Sequence, residues 1–330
     1  MSQSFQALVV NKEDDQFSIE IQNLTLQDLP DGEVLIRVHY SGVNYKDSLA
    51  AIPNGNIVRT YPFVPGIDLA GVVVSSKDPR FIEGDEVLAT SYEIGVSHYG
   101  GYSEYAQIPA SWVVPLPKGL TLKEAMIIGT AGFTAAMSVQ ALEDNQVTPD
   151  MGKVLVTGAT GGVGSFAVGI LSKLGFLVEA STGKDSEHEY LKKIGAKSVV
   201  PREEVYDGKI RALGKQKWAA AIDPVGGEPL AALLSQIHYG GSVAASGLTA
   251  GTSLPTSVFP FILRGVNLLG IDSVYCPMEK RVHIWNRLAN DFKFNHLEEL
   301  IQQEVTLHQL PEVLPTLLKG EARGRTIVKL

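Results

Sequence analysis

The run Val154-Leu-Val-Thr-Gly158-Ala159-Thr160-Gly161-Gly162-Val163-Gly164 constrains this chain more than any other, because an apolar stretch enters it and the helix-forming stretch Ser165–Leu174 leaves it. Glycines in such a turn let the backbone approach a pyrophosphate. The first N–H groups of the following helix have no partner within the helix, and they carry its partial positive charge. Thr160, Gly161, Gly162, Val163 and Gly164 are therefore the candidate ligands of a dinucleotide phosphate bridge. A glycine loop alone also ends strands for steric reasons, so its setting matters. Downstream come strand-like Phe176–Ala180, a helix near Ser186–Ile194, strands at Ser198–Val200 and Ala219–Asp223, a helix near Pro229–Gln236 and a strand at Ser242–Ala245. This alternation implies a parallel sheet wound right-handedly, with ligands at the carboxyl ends of its strands.

In an NAD-binding unit the second strand ends in an acid that bonds the ribose 2′-hydroxyl. Here it ends in Ser181-Thr182-Gly183-Lys184, whose hydroxyls and lysine suit a 2′-phosphate, and NADPH is the expected cofactor. Glu179 would supply the acid if the register were different. Read as a residue within the strand, it takes no part. The plainer alternative for Lys184 is an ordinary solvated lysine.

N-terminal to this region the chain is β-rich: Phe5–Val10, Glu33–Tyr40, Ala70–Val74, Glu86–Ala89 and Ser103–Ile108 are short β-favouring runs punctuated by Gly, Pro, Asn and Asp. A helical stretch, Leu122–Leu142, precedes the glycine turn. After Ile284 two helix-like stretches lead to a last strand, Arg325–Leu330. A terminal strand needs partners, and the N-terminal region offers them. At 330 residues the chain is long for one core. The expected organisation is a catalytic domain over 1–120 and 293–330, with a Rossmann domain over 121–292 inserted in it.

Apolar residues at 45% and charged residues at 19% suit compact globular units. A net charge of −8 with no block of Lys and Arg excludes a broad nucleic-acid-binding face. The N-terminus has no charged segment followed by an apolar run, and no apolar stretch of about 18 residues is evident. A cytoplasmic protein without a membrane partner is expected. The one cysteine, Cys276, excludes an internal disulfide, and the seven histidines form no ligand-spaced cluster, so no metal is expected.

Gly42-Val-Asn44-Tyr45-Lys46-Asp47, Pro65-Gly-Ile67-Asp68-Leu-Ala-Gly71, Gly84-Asp-Glu-Val87, Gly100-Gly-Tyr-Ser-Glu-Tyr105 and the glycine turn follow one another in an order that resembles the medium-chain dehydrogenase/reductase superfamily, in its quinone oxidoreductase-like group. The resemblance implies an α/β protein, a GroES-like β-barrel catalytic domain plus a Rossmann doubly wound parallel sheet. The zinc alcohol dehydrogenases of this fold carry a cysteine in the first motif and Gly-His-Glu in the second. Asn44 and Ile67-Asp68 stand in those regions here, which implies no catalytic zinc. Asn44-Tyr-Lys-Asp47, Ile127-Ile-Gly-Thr-Ala-Gly-Phe-Thr134, His188-Glu-Tyr-Leu191, Pro260-Phe-Ile-Leu-Arg264 and Gly324-Arg-Thr-Ile-Val-Lys329 narrow the resemblance to the acrylyl-CoA reductase branch. That branch implies a homodimer that uses NADPH to reduce the carbon–carbon double bond of a short enoyl thioester.

Such a reduction leaves negative charge on the substrate carbonyl oxygen, which hydrogen-bond donors must stabilise. Tyr45, in the loop that carries the zinc cysteine elsewhere in the superfamily, is the candidate catalytic and nicotinamide-end residue. Packing is its plainer role. Asn44 is read either as a donor to the carbonyl or as a holder of the turn, and Asp47 and Asp68 as organisers of loops. Thr130 and Thr134 are read either as cofactor contacts or as helix packing. The family pattern adds Arg202, whose plainer reading is a surface arginine, and Arg325, at the pyrophosphate, as cofactor contacts; Gly247-Leu248 follows the fifth apolar strand and is expected beside the nicotinamide. Lys46, Arg59 and Arg264 are the cations available to CoA phosphates. The stretch Leu268–Tyr275 corresponds to one that pairs across a two-fold axis in the family. Two alternatives remain open: a quinone, enal or enone as substrate, and a dinucleotide-binding protein without turnover.

Overall fold

The computed structural model describes residues 4–14 and 16–330. They fall into two compact units, one of Met1–Thr130, Val274–Ala289 and Leu300–Leu330, the other of Ala131–Ser273 and Asn290–Glu299. The first unit opens with the antiparallel pair β1 (Ser4–Glu13) and β2 (Gln16–Thr25). It continues through β3 (Val34–Val43), α1 (Tyr45–Ala50), β4 (Asp68–Ser76), β5 (Glu86–Thr90), β6 (Tyr105–Ile108) and β7 (Val113–Pro115). Val34, Ile36 and Val38 alternate inward along β3 and share one core with Leu69, Val73, Val87, Ala89, Ala106 and Ile108 from β4, β5 and β6, as period-two side chains of a half-buried sheet should.

The helix α2 (Leu122–Asp144) passes from the first unit into the second. The expected single helix is broken at Gly129, where φ is 49° and ψ −158°. By length and composition α2 would pass for a membrane span, which corrects the expectation that no such apolar stretch exists. However, 83% of its apolar window is buried in the protein, as in the core helix of a globular domain.

The second unit alternates strictly: β8 (Lys153–Val156), α3 (Gly162–Lys173), β9 (Leu177–Ser181), α4 (His188–Lys193), β10 (Ser198–Val200), α5 (Arg202–Val205), β11 (Trp218–Asp223), α6 (Gly227–Leu234), β12 (Ile237–Ala245), α7 (Phe259–Arg264) and β13 (Asn267–Gly270). Its six strands are all parallel, in the order β10-β9-β8-β11-β12-β13. Val154, Leu155 and Val156 are fully buried, as the central strand of a sheet covered on both faces requires. The order reverses between β8 and β11, which is where open sheets of this kind receive ligands.

The chain then gives α8 (Met278–Ala289) to the first unit, beginning earlier than the helix expected after Ile284. It finishes with β14 (Ile301–Thr306), α9 (Leu310–Leu318) and β15 (Arg325–Lys329). β15 pairs antiparallel with β3 and parallel with β14, so the terminal strand finds its partner in the N-terminal region.

Candidate functional site

In the second unit the turn after β8 and the start of α3 fold against each other because Gly164 has no side chain: a Cβ there would stand 2.4 Å from the Gly158 carbonyl oxygen. Ser165 Oγ donates to the Ala159 carbonyl at 3.1 Å. Ala159 N–H donates to the Ser181 carbonyl at 3.1 Å, tying the turn to the end of β9. Across the reversal, Thr157 Oγ1 donates to Asp223 Oδ1 at 2.5 Å, and Gly226 N–H donates to Asp223 Oδ2 at 2.7 Å. Burial pushes the Asp223 carboxyl up against the pull of these donors. The ends of β8, β9 and β11 are thus held in fixed positions around the turn. Thr160 and Gly164 are buried there, and Gly161, Gly162 and Val163 half-buried.

At the end of β9, Ser181 and Thr182 are buried, and Thr182 Oγ1 accepts the Lys184 N–H at 3.1 Å. The Arg202 side chain, from the first residue of α5, lies over Gly183, its Nε 2.9 Å from where a Cβ would stand. Ser181, Thr182, Gly183, Lys184 and Arg202 therefore come together. Glu179 does not join them. It is 7% exposed and accepts hydrogen bonds from Lys153 Nζ, Ser198 Oγ and Trp218 Nε1, each at 2.7 Å. Those three are the first residues of β8, β10 and β11, so the carboxylate is drawn toward the amino ends of the strands. Burial raises its pKa, and the hydrogen bonds from Lys153, Trp218 and Ser198 outweigh that and hold it below the usual range.

Two other expected contacts separate. Thr134 is buried, and its hydroxyl donates to Ser273 Oγ at 2.8 Å, which favours the packing role. Leu248 is 62% exposed and lines a cavity of ≈ 520 Å³ beyond the carboxyl ends of β12 and β13, with Ser246, Gly247, Ile271 and Asp272. The Oγ of Ser246 is buried and without a hydrogen-bond partner, a polar atom that sequence reasoning did not single out.

In the first unit Asn44 precedes α1, and its side chain is used up. Its Nδ2 donates to Asp68 Oδ2 at 2.8 Å and to Asp47 Oδ2 at 3.3 Å, and its Oδ1 accepts from Arg325 Nη1 at 3.0 Å. These bonds hold the turn, which is the second of the two readings of Asn44. Arg325, 3% exposed, donates to the Ile127 and Val43 carbonyls at 3.0 Å each and pairs with Asp68 at 3.6 Å through Nη2, which makes no hydrogen bond. Asp68 also accepts the Thr130 N–H at 2.9 Å and the Thr130 hydroxyl at 2.5 Å, which accounts for Thr130 without a cofactor. Asp47 accepts the N–H groups of Asn44 and Ile67 at 2.8 and 2.9 Å. Burial and the Asp68 carboxylate push Asp47 up to about 7. Tyr45, the first residue of α1, is 49% exposed and presents its ring outward from this braced turn. Arg264 leaves the list of cations for CoA, because its guanidinium donates to the Ser235 and Gly214 carbonyls at 2.7 and 2.8 Å.

The donors around Asn44 do not fit a zinc ion. A guanidinium occupies the space beside Asp68. The only thiol, Cys276, is buried and turned to the Pro277 carbonyl, and no group of three or more His, Cys, Asp or Glu suited to a metal occurs among the described residues.

A six-stranded dinucleotide-binding sheet and a β-rich unit closed by the chain's last strand define a two-domain dehydrogenase. The family model of the alcohol dehydrogenase GroES-like domain matches residues 30–118, and that of the zinc-binding dehydrogenases matches residues 162–288. The acrylyl-CoA reductase AcuI of Ruegeria pomeroyi is 49% identical over 98% of both chains. The crystal structure of Bacillus subtilis yhfP with NAD bound shares 57% identity over the whole of both chains, with a TM-score of 0.98. That of the yhdH oxidoreductase from Salmonella enterica in complex with NADP shares 47% identity over 98% of this chain and 99% of that one, with a TM-score of 0.95. The chain belongs to the medium-chain dehydrogenase/reductase superfamily, in its zinc-independent quinone oxidoreductase-like group, and is an oxidoreductase.

Proposed function

We propose that this protein is an NADPH-dependent reductase of activated carbon–carbon double bonds, with short enoyl-CoA thioesters such as acrylyl-CoA as its substrates. The observation that carries the cofactor is the fate of Glu179: the one carboxylate within β9 is bound by Lys153, Ser198 and Trp218. Ser181, Thr182, Lys184 and Arg202 are then the groups placed to meet a ribose 2′-substituent, and hydroxyls with cations suit a phosphate. Gly161–Gly164 and the N-terminus of α3 would hold the pyrophosphate. Ser246 and Leu248 would meet the nicotinamide end. When bound, NADPH supplies a hydride to the electron-poor carbon of the substrate. The chain's own part is to orient and to stabilise charge, and Tyr45 is the residue we assign as hydrogen-bond donor to the carbonyl oxygen.

The substrate class rests on likeness to the acrylyl-CoA reductase AcuI over nearly all of both chains. The commitment of Arg264 to backbone carbonyls favours a second reading, a quinone or enone substrate, since such substrates carry no phosphates. Initial rates of NADPH and NADH oxidation with acrylyl-CoA and with a quinone test both. Fast loss of NADPH with the thioester alone supports the first reading. Turnover with the quinone alone moves the function to the second, and binding of NADPH with no turnover of either would refute an enzyme of this class. Preference for NADH, as the NAD in the yhfP structure would suggest, would refute the phosphate pocket.

We also infer a homodimer formed along β13. It is the edge strand of its sheet, and Leu268 on it and Val258, Ile262 and Leu263 on and beside α7 are exposed apolar side chains. A monomer in light scattering at micromolar concentration would refute it.

A further inference from the structure

We propose that Arg325 is a positioning residue for the Asn44–Tyr45 turn, acting through an ion pair with Asp68 that fills the break in α2. The functional part of this inference rests on the reading of Tyr45 given above. The break is built around the pair. The last carbonyls of the first half of α2 include that of Ile127, which accepts Arg325 Nε at 3.0 Å. The N–H that opens the second half, that of Thr130, donates to Asp68 at 2.9 Å. Cation and anion therefore stand at the helix ends that attract them. Gly129 makes the room: a Cβ there would lie 2.5 Å from Asp68 Oδ2 and 2.8 Å from Arg325 Nη2. Gly42 does the same from β3, with a Cβ position 2.7 Å from Arg325 Nη2.

Asn44 lies between the two charges. Its carbonyl oxygen faces Arg325 at 3.0 Å and its amide nitrogen faces Asp68 at 2.8 Å, so the pair fixes both the place of the side chain and which way its amide points. Arg325 also holds the backbone just ahead of it, through the Val43 carbonyl. Tyr45 is the next residue, and since its own ring is half exposed, its direction is set by the backbone of this turn. A buried ion pair is weak evidence for stability, because well-packed apolar groups commonly serve as well or better. What the charges add here is a single orientation for the turn. Asp47 belongs to the same cluster and is faced by Asp68 from β4, Arg325 from β15 and Tyr102 from the segment before β6. Its titration near neutral pH makes the turn sensitive to any change in the charge of the pair.

The test uses the full chain with R325M, R325K, D68N and the neutral pair D68N/R325M. Two readouts are taken. The first is the ¹⁹F resonance of Tyr45 in 3-fluorotyrosine-labelled protein, assigned with Y45F and followed from pH 5.5 to 8.5. The second is kcat, KM and NADPH affinity with whichever acceptor the wild type turns over. R325M is expected to lower kcat by about 10–100-fold, the cost of a misplacement of roughly 1 Å, with NADPH affinity changed by less than about threefold. It should also broaden or split the Tyr45 resonance and move its pH midpoint upward. D68N should move that midpoint downward, and R325K should recover most of kcat. The neutral pair should fold as well as the wild type and still show the altered resonance. If R325M leaves both the resonance and kcat unchanged, or if NADPH affinity falls as much as kcat, the proposal is overturned. If the wild type reduces none of the acceptors, the proposed function fails while the Tyr45 resonance still decides whether Arg325 positions the turn.

Discussion

Glu179→Gln separates a structural carboxylate from a cofactor-reading one. In the folded chain the carboxylate takes three donors: Lys153 Nζ and Ser198 Oγ on one oxygen and Trp218 Nε1 on the other. A glutamine amide has one acceptor oxygen, so its best rotamer keeps Lys153 and Ser198 and turns its NH₂ toward Trp218. The Lys153 side chain is 53% exposed and its ion pair is worth at most about 1 kcal/mol. Trp218 is 1% exposed, and leaving its buried indole N–H unpaired costs about 1–3 kcal/mol. The expected loss is therefore about 1–3 kcal/mol in chemical denaturation. In a thermal melt that is roughly 2–4 °C per kcal/mol. The preference for NADPH over NADH, read as the ratio of kcat/KM values, should stay within about threefold of the wild type, because a group bound toward the amino ends of the strands does not meet the ribose. A tenfold change in that ratio is about 1.4 kcal/mol of differential binding. If the E179Q substitution moved the ratio that far without lowering stability, Glu179 would face the cofactor and the assignment of the phosphate pocket would fall.

Three further outcomes are expected. Arg202→Ala should raise KM for NADPH about 10–100-fold and leave KM for NADH nearly unchanged, since a charge-assisted contact to a phosphate is lost and nothing else; an equal rise for both cofactors would make Arg202 a structural residue. Tyr45→Phe should lower kcat for an enoyl thioester by about 10²-fold with NADPH affinity unaltered, as removal of one oxyanion donor does; unchanged turnover would leave Tyr45 as packing. Asp47, pushed up to about 7 from an unfolded value of 3.8, keeps in the folded state a proton that the unfolded chain gives up. Its contribution to stability is therefore full below about pH 4 and lost as pH rises through about 7, at up to about 1.4 kcal/mol per pH unit. Urea titrations from pH 4.5 to 8 should show that slope in the wild type and not in D47N. Identical slopes in the two would refute it.

The second unit was largely legible because its signals are local: apolar runs of strand length, helices between them and a glycine turn lie within short stretches of chain, and periodicity alone orders them. The first unit was less so. β2 alternates strictly, with Phe17, Ile19 and Ile21 between polar neighbours, and was legible although it was not read as a strand; β7 is a three-residue strand that only its partner β5 defines. Gly129 sits in an apolar helical run where an isolated glycine reads as tolerated, and only the arrival of Asp68 and Arg325 from distant strands turns it into a break. Buried polar residues were the least legible, because the same residue type serves a ligand or the protein according to whether its hydrogen bonds are already made. Arg325 and Asn44 read as site residues, and the bonds they make with each other and with their neighbours, across most of the chain's length, were not legible. Ser246 looked like nothing and has a buried hydroxyl with no partner beside an open cavity. An unsatisfied buried group costs about as much as a lost hydrogen bond. Such unpartnered atoms occur both at Ser246, beside the cavity, and at Arg325 Nη2, beside Asn44, and neither could be read from the sequence because each depends on which neighbours the fold brings up.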